Sequence, residues 1–415
     1  MVALSPATII TNLFLSGVIV PVIYLLKDQF TTTLAAGSVN GTAAEPGPGT
    51  RTVVDTQSKL SIASGHIAIS GGKATPAYGD PLLYYASQAR AAGRALMADV
   101  TPYTAGDDGA FVGWHLGSSF TSGASIKGVI YFQNGGTILS YNGSAAPTIG
   151  AWVTATAYAV AIIIKSTGYY ILVKGGIYTN YTLLWMDTTI TTDPVTPVCD
   201  VYSIQIDLDN FRIPDSLYLP PCAAYDTFTR ANGALGTSET AGPDGQAVTG
   251  RAWTDQIGTW EIASNKADPS ALSGAIGIAT VNAGVADVLV DAAITQTLLK
   301  SGIVVRYVDS SNYIAAYYDG TNAKLDKVVA GSTTSVISAA KTYAAGAVLR
   351  VICQGTSFSL FYNGAQVGST STISDAGLQS GTLHGLYSTG LGNTMDNFLV
   401  LSRGVDNAYT GLDGY

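Results

Sequence analysis

Asp28-Gln-Phe-Thr31 and, 198 positions later, Asp226-Thr-Phe-Thr229 open two stretches of the chain that run in parallel. Each opening leads through a Gly/Thr/Ala-rich segment to a Gly-Pro turn, Glu45-Pro-Gly-Pro-Gly49 in the first and Ala241-Gly-Pro-Asp-Gly245 in the second. Each then reaches a segment ending in Ile-Ala-Ser, Lys59-Leu-Ser-Ile-Ala-Ser64 and Thr259-Trp-Glu-Ile-Ala-Ser264. Each closes on Asp-Asn-Phe, at Asp209 to Phe211 and at Asp396 to Phe398, where the offset has fallen to 187. A shrinking offset between matched landmarks is what duplication followed by loop shortening leaves behind.

Working outward, the interior of the two copies keeps one order of short β-branched and aromatic runs bounded by Gly, Asn, Asp and Thr. Phe111 to Leu116 parallels Ile303 to Val308, and Lys127 to Phe132 parallels Asn312 to Tyr318. Ala159 to Ile164 and Tyr169 to Val173 flank the turn Ser166-Thr-Gly168, as Val348 to Cys353 and Phe358 to Tyr362 flank Gln354-Gly-Thr356. Both turns are short, Gly-bearing hairpin connections. Tyr84 to Val100 is Ala- and Arg-bearing and tempts toward helix, but its counterpart Ala279 to Ile294 alternates, which favours strand in both. The fold class expected is all-β, two tandem antiparallel jelly-roll β-sandwiches behind a short hydrophobic N-terminal segment. The boundaries expected are 1–27 for that segment, 28–213 and 226–402 for the sandwiches, 214–225 for a linker and 403–415 for a tail.

Composition narrows the function classes. Charged residues make up 12% of 415 residues, about half the usual share, and the mean hydropathy is +0.28. Such a chain is not a disordered one. The net charge is −8 with no basic cluster, so nucleic-acid binding lacks its electrostatic term. The three cysteines, Cys199, Cys222 and Cys353, are too few and odd in number for a disulfide framework, although Cys199 and Cys222 could pair.

Ala7 to Leu26 carries no charge and is long enough for a membrane span. No Lys or Arg precedes it, and Thr8, Thr11, Asn12, Ser16 and Pro21 interrupt it. It therefore lacks the basic n-region of a secretory signal. Three alternatives stand: a segment buried against neighbouring subunits, a membrane anchor, or a helix packed on its own module. The flanking residues favour the first, with Leu13, Phe14, Val18, Val20, Val22, Ile23 and Leu25 as the assembly residues.

The pattern Asp226-Thr-Phe-Thr229, Trp253-Thr254, Gly258-Thr-Trp-Glu-Ile-Ala-Ser264 and Met395-Asp-Asn-Phe398 resembles concanavalin A-like (laminin-G-like) jelly-roll modules. The first copy departs from it, with Lys59-Leu60 in place of Thr-Trp. Modules of this look are frequent in bacteriophage virion proteins such as tail, neck and head fibres, and in bacterial surface proteins. The resemblance implies a place on a virion or extracellular surface and, for some members, contact with a surface glycan.

Catalytic signatures are sparse. Glycosidic hydrolysis needs two carboxylates flanking the bond, whereas the three glutamates, Glu45, Glu239 and Glu261, are far apart in sequence. His66, His115 and His384 share no ligand-spaced motif. No Gly-x-Ser-x-Gly elbow, Walker loop or dinucleotide fingerprint sits in the required context. Asp207, Asp209, Asn210, Asp396 and Asn397 could ligate calcium, but turn and edge hydrogen bonding explains them with fewer demands. No cofactor or metal is called for. Among aromatics that could stack on sugar, Trp114, Tyr313, Tyr317 and Tyr318 are the carbohydrate-binding candidates, with Trp152 and Trp185 behind them; core packing is the competing role for each. Alternation puts Tyr313 and Tyr317 on one face and Tyr318 on the other. The expectation is a non-enzymatic structural component of a phage particle (tail, neck, fibre or decoration protein) or similar assembly, homo-oligomeric and in contact with other subunits. A membrane-anchored bacterial surface protein that binds polysaccharide is the alternative, and a glycoside hydrolase is third.

Overall fold

The computed structural model describes residues 11–15, 18–54, 58, 60–63, 65–69, 82–102, 110–116, 126–141, 147–188, 195–201, 206–297, 299–404 and 409–413. Among them there are strands and three one-turn 3-10 segments, and no α-helix. The chain is all-β and built of antiparallel sheets in sandwich arrangement, as its sequence predicts. The stretch Tyr84 to Val100 holds parts of two strands, Leu82–Tyr84 and Ala95–Pro102.

Two compact units divide it, Met1–Pro220 with Tyr409–Tyr415, and Pro221–Ala408. In the first, one sheet orders Thr148–Ala151, Thr137–Tyr141, Ile126–Gln133, Ala110–Leu116, Val195–Val201, Leu82–Tyr84 and Thr52–Val54. The second unit repeats this order strand for strand: Ser332–Ala340, Asn322–Val329, Asn312–Tyr318, Ser301–Asp309, Leu383–Ser388, Gly277–Asn282 and Thr254–Ile257. The other sheet of the first unit runs Tyr178–Asp187, Gly168–Gly175, Tyr158–Lys165, Ala95–Pro102, Ile206–Pro214, His66–Ile69 and Leu60–Ala63. Its counterpart runs Ala365–Thr372, Ser357–Tyr362, Ala347–Gln354, Val288–Thr295, Thr394–Ser402, Lys266–Ala271 and Thr259–Ala263, with Gly233–Ala234 added at the edge. Tyr24–Asp28 and Cys222–Asp226 add equivalent strands beside Ile206–Pro214 and Thr394–Ser402. Non-consecutive neighbours such as Ala110–Leu116 and Val195–Val201 are the long-range pairings of a jelly roll.

The shared tetrapeptides hold each unit's entrance. Asp28 and Asp226 are fully buried. Asp28 accepts from Arg51 Nε and Nη2 at 2.6 and 2.7 Å and from Tyr85 Oη at 2.6 Å. Asp226 accepts from Arg230 Nη1 at 2.7 Å and from Trp253 Nε1 at 2.7 Å. Each carboxylate also takes the N–H two residues on, from Phe30 and Phe228, a turn that Asp forms readily. That grip holds the two phenylalanines at φ 50° and 53°, a left-handed conformation that a bulky residue adopts only under constraint. Glu45 and Glu239 tie down the same turns, accepting from Thr31 and Thr32 and from Thr227. The Asp-Asn-Phe closures match as well, with Asn210 and Asn397 at φ 48° and 52°. Asp209 and Asp396 each accept from the following backbone N–H, at 2.5 and 2.8 Å. Their following phenylalanines pack on the hub aromatics, Phe211 on Tyr85 and Phe398 on Trp253.

The N-terminal apolar run folds as a hairpin. Thr11–Leu15 pairs with Val18–Val22, with Leu13 opposite Val20 and Phe14 opposite Ile19, in a two-stranded sheet of its own. The side chains of Leu13, Phe14, Val18 and Val20 lie outside what the structure describes. Pro21 would break a helix here but is tolerated in an edge strand. Val22 is buried and Ile23 exposed, and Leu25 already belongs to the strand Tyr24–Asp28 of the first sandwich. No helix among the described residues is long and apolar enough to cross a membrane. Cys199, Cys222 and Cys353 are buried thiols outside any disulfide, so Cys199 and Cys222 do not pair with each other. At the chain's end, Thr410–Leu412 forms a 3-10 turn within the first unit, with Leu412 buried.

Candidate functional site

The outer face of the second unit's seven-stranded sheet carries a row of tyrosines. In Asn312–Tyr318, alternation sends Ile314, Ala316 and Tyr318 into the main core and Tyr313, Ala315 and Tyr317 to the other side. In Ser301–Asp309, Ile303 and Val305 face the core and Val304 the outer side. Strict alternation would send Tyr307 inward. A bulge between Val304 and Tyr307, with Arg306 at φ 49°, inserts one residue and re-aims it outward. Leu383–Ser388 contributes Tyr387.

The rings run in sequence, Tyr307 to Tyr313 at 6.0 Å between centroids, Tyr313 to Tyr387 at 6.5 Å, and Tyr387 to Tyr317 at 5.6 Å. Gly302 stands in register with both Tyr317 and Tyr387, so no side chain separates those two rings. Lys300 Nζ lies 4.4 Å from the Tyr317 ring centroid, a cation–π contact. Asp326, on Asn322–Val329, accepts the Tyr317 hydroxyl on Oδ2. Its other oxygen, Oδ1, is buried without a hydrogen-bond partner, in a residue only 5% exposed. Lys324 and Asp319 form an ion pair nearby at 3.1 Å.

Burial first, then the Asp326 hydrogen bond and charge, push the Tyr317 phenol well above its ordinary range. Burial also raises Tyr307, Tyr313 and Tyr387. All four phenols therefore stay protonated. The hydroxyls of Tyr307, Tyr313 and Tyr387 have no protein partner among the described residues. The Asp326 charge acts on the phenols of Tyr313 and Tyr387, so its unused, buried oxygen is an acceptor near two phenol hydroxyls that a ligand hydroxyl could satisfy. The face is not a stacking platform, because Tyr313 and Tyr317 are 4% and 2% exposed and present no open ring face.

The remaining aromatic candidates sit elsewhere. Trp114 is fully buried and donates from Nε1 to Ile162 O at 3.1 Å, across the sandwich. Tyr318 stacks on Tyr362 inside the core and donates to Lys341 O. Trp152 and Trp185 are buried, Trp152 donating to Gln133 O. Core packing is what these four do. The corresponding face of the first unit has Leu82, Phe111, Val129 and Val198 buried beneath half-buried Tyr84, Tyr131 and Tyr141. These three, with Tyr307, Tyr387 and Asp326, are absent from the sequence candidates. Alternation within Lys127 to Phe132 could have found Tyr131.

One carboxylate pair escaped the sequence reading as well. The tight turn Ser264-Asn265, both residues at positive φ, sets Glu261 directly opposite Asp268. Burial first, with the Glu261 charge adding to it, raises the Asp268 carboxyl, against a backbone hydrogen bond from Gly392 that lowers it. No group of three or more His, Cys, Asp or Glu placed to hold a metal occurs among the described residues.

No protein-family model matches the chain, and no curated protein matches it by sequence. Among solved structures it is similar to the carbohydrate binding module CBM66 from Bacillus subtilis, at 18% identity and a TM-score of 0.32, over 36% of this chain and 95% of that one. It is also similar to the VIP36 exoplasmic/lumenal domain in its Ca2+/Man3GlcNAc-bound form, at 7% identity and a TM-score of 0.29, over 40% and 83%. A third likeness is to the GH43 protein BlXynB from Bacillus licheniformis, at 12% identity and a TM-score of 0.26, over 92% and 76%. At these identities and scores no ligand or activity passes from those proteins to this chain.

Proposed function

We propose that this chain is a non-enzymatic structural component of an extracellular assembly, of the phage tail, neck, fibre or decoration kind, that contacts surface glycan through the outer face of its second unit. The observation that carries the glycan part is the unpartnered Asp326 Oδ1, whose charge acts on the phenols of Tyr313 and Tyr387. A buried acceptor without a donor costs roughly 1–3 kcal/mol, which a bound hydroxyl would return. The glutamates Glu45 and Glu239 are spent on holding turns, which supports a binding rather than a catalytic role. The apolar hairpin Thr11–Val22 supports the assembly part.

The test is a glycan array on the full chain, followed by calorimetry on the best ligand with wild type and Asp326→Asn. Asp326→Asn is expected to weaken binding about tenfold; an unchanged Kd, or no glycan retained by wild type, sinks the reading. Release of reducing sugar that Glu261→Gln abolishes would replace it with a hydrolase.

A further inference from the structure

A cavity of about 430 Å3 opens on the first unit, walled chiefly by Asp99, Lys174, Tyr181, Arg212, Leu412 and Asp413. It lies on that unit alone and does not depend on the tyrosine row. Arg212 is 9% exposed. Its Nη1 donates to Asn210 O at 2.7 Å and stands 3.8 Å from Asp99 Oδ1. Its Nε and Nη2 have no partner among the described residues. A buried guanidinium with one edge unused is a fork shaped for a planar oxyanion.

The local charge agrees with that shape. Lys27 is register-paired with Arg212, and burial together with the Arg212 charge pushes its ammonium below the usual value. Asp99 is already committed in part, accepting Asn210 Nδ2 on Oδ2 at 2.7 Å. On the open side, Lys174 Nζ holds Asp413 Oδ1 at 2.5 Å, with the two side chains 38% and 43% exposed. An ion pair so open to water is held weakly. Asp413 thus places a carboxylate at the cavity mouth that a competing carboxylate can displace. Asp99 and the Tyr181 hydroxyl remain as polar groups for the rest of the ligand. Two acidic groups in the wall oppose a dianion such as phosphate, and a cavity of this size suits a small molecule.

We propose that this cavity binds a small hydroxylated carboxylate of the sugar-acid class. Its carboxylate is taken by the free edge of Arg212 and by Lys174, in place of Asp413, and its hydroxyls by Asp99 and Tyr181.

The experiment titrates the full-length protein at low salt with D-glucuronate, D-glucose and inorganic phosphate, read by calorimetry. Glucuronate is expected to bind at least about tenfold more tightly than either control. Asp413→Asn, a change at the exposed mouth, removes the internal competitor and is expected to tighten glucuronate about threefold, whereas Lys174→Gln weakens it by a similar factor. Arg212→Gln should abolish binding; because that variant could misfold, the gain in Asp413→Asn is the deciding readout. Glucuronate and glucose binding alike, phosphate binding more tightly, or Asp413→Asn leaving the glucuronate affinity unchanged or lower, would each overturn the proposal.

Discussion

His384 shows at the scale of one residue how burial sets chemistry. Its ring is fully buried, with Nε2 donating to Val285 O at 2.9 Å and Nδ1 accepting from Arg306 N at 3.3 Å. That tautomer uses both nitrogens only when the ring is neutral. Burial, with the Arg306 charge adding to it, lowers the imidazole from 6.5 to about 4. The unfolded chain therefore takes up a proton below pH 6.5 that the folded one refuses. The stability this supplies is complete above about pH 6.5 and is lost as pH falls toward about 4, a loss on the order of 3 kcal/mol. The expected NMR result is a His384 Cε1–H resonance that stays at its neutral position down to pH 5; a midpoint near 6.5 would refute it. Asp326 is the residue-scale counterpart on the tyrosine face. Nothing in the sequence around it distinguishes it from other strand aspartates, because its isolation depends on which neighbours the sheet supplies.

A strand element shows how one residue reorders a face. Tyr313 and Tyr317 are legible as neighbours from period-two alternation alone. Tyr307 and Tyr387 are not: the first reaches the face only through the bulge at Arg306, and the second comes from a strand about seventy positions away in sequence. Gly302 belongs to the same device. A Cβ there would stand 2.0 Å from Ala316 O and 2.8 Å from Tyr317 Cβ. Gly302→Ala must push two central strands apart, so a loss of about 3 kcal/mol or more is expected in urea denaturation. The near-UV circular dichroism of the tyrosine row should fall with it; a variant as stable as wild type would show that the strands can yield.

For the whole molecule, the prediction concerns assembly. The expectation of an attachment segment over 1–27 meets a structural boundary five residues earlier, because Tyr24–Asp28 is a strand of the first sandwich and Asp28 is its buried hub. Deletion of residues 1–22, rather than 1–27, therefore removes the hairpin and leaves every strand of the sandwich in place. The full chain is expected to sediment as an oligomer in detergent-free buffer and the shortened chain as a monomer of unchanged circular dichroism. Identical sedimentation of the two would remove the hairpin from assembly. Need of detergent by the full chain alone would favour the membrane-anchored alternative.

The sequence by itself determined the duplication and the strand order. The matched Asp-x-Phe-Thr and Asp-Asn-Phe landmarks each perform a local backbone task in both copies, down to the left-handed Phe30 and Phe228, Asn210 and Asn397. Alternating apolar residues fix a strand's two faces, since a one-residue slip would expose the core. Only the tertiary structure decided which of those faces is sealed and which meets water. Trp114 and Tyr318 are read equally well as ligand or core until the opposing sheet is in place. Asp326 acquires its empty oxygen, and Lys174 its partner 239 residues away, only when distant strands and the chain's end are brought together. Long-range pairing of that kind leaves no local pattern to read, because the groups that meet share no neighbours in sequence.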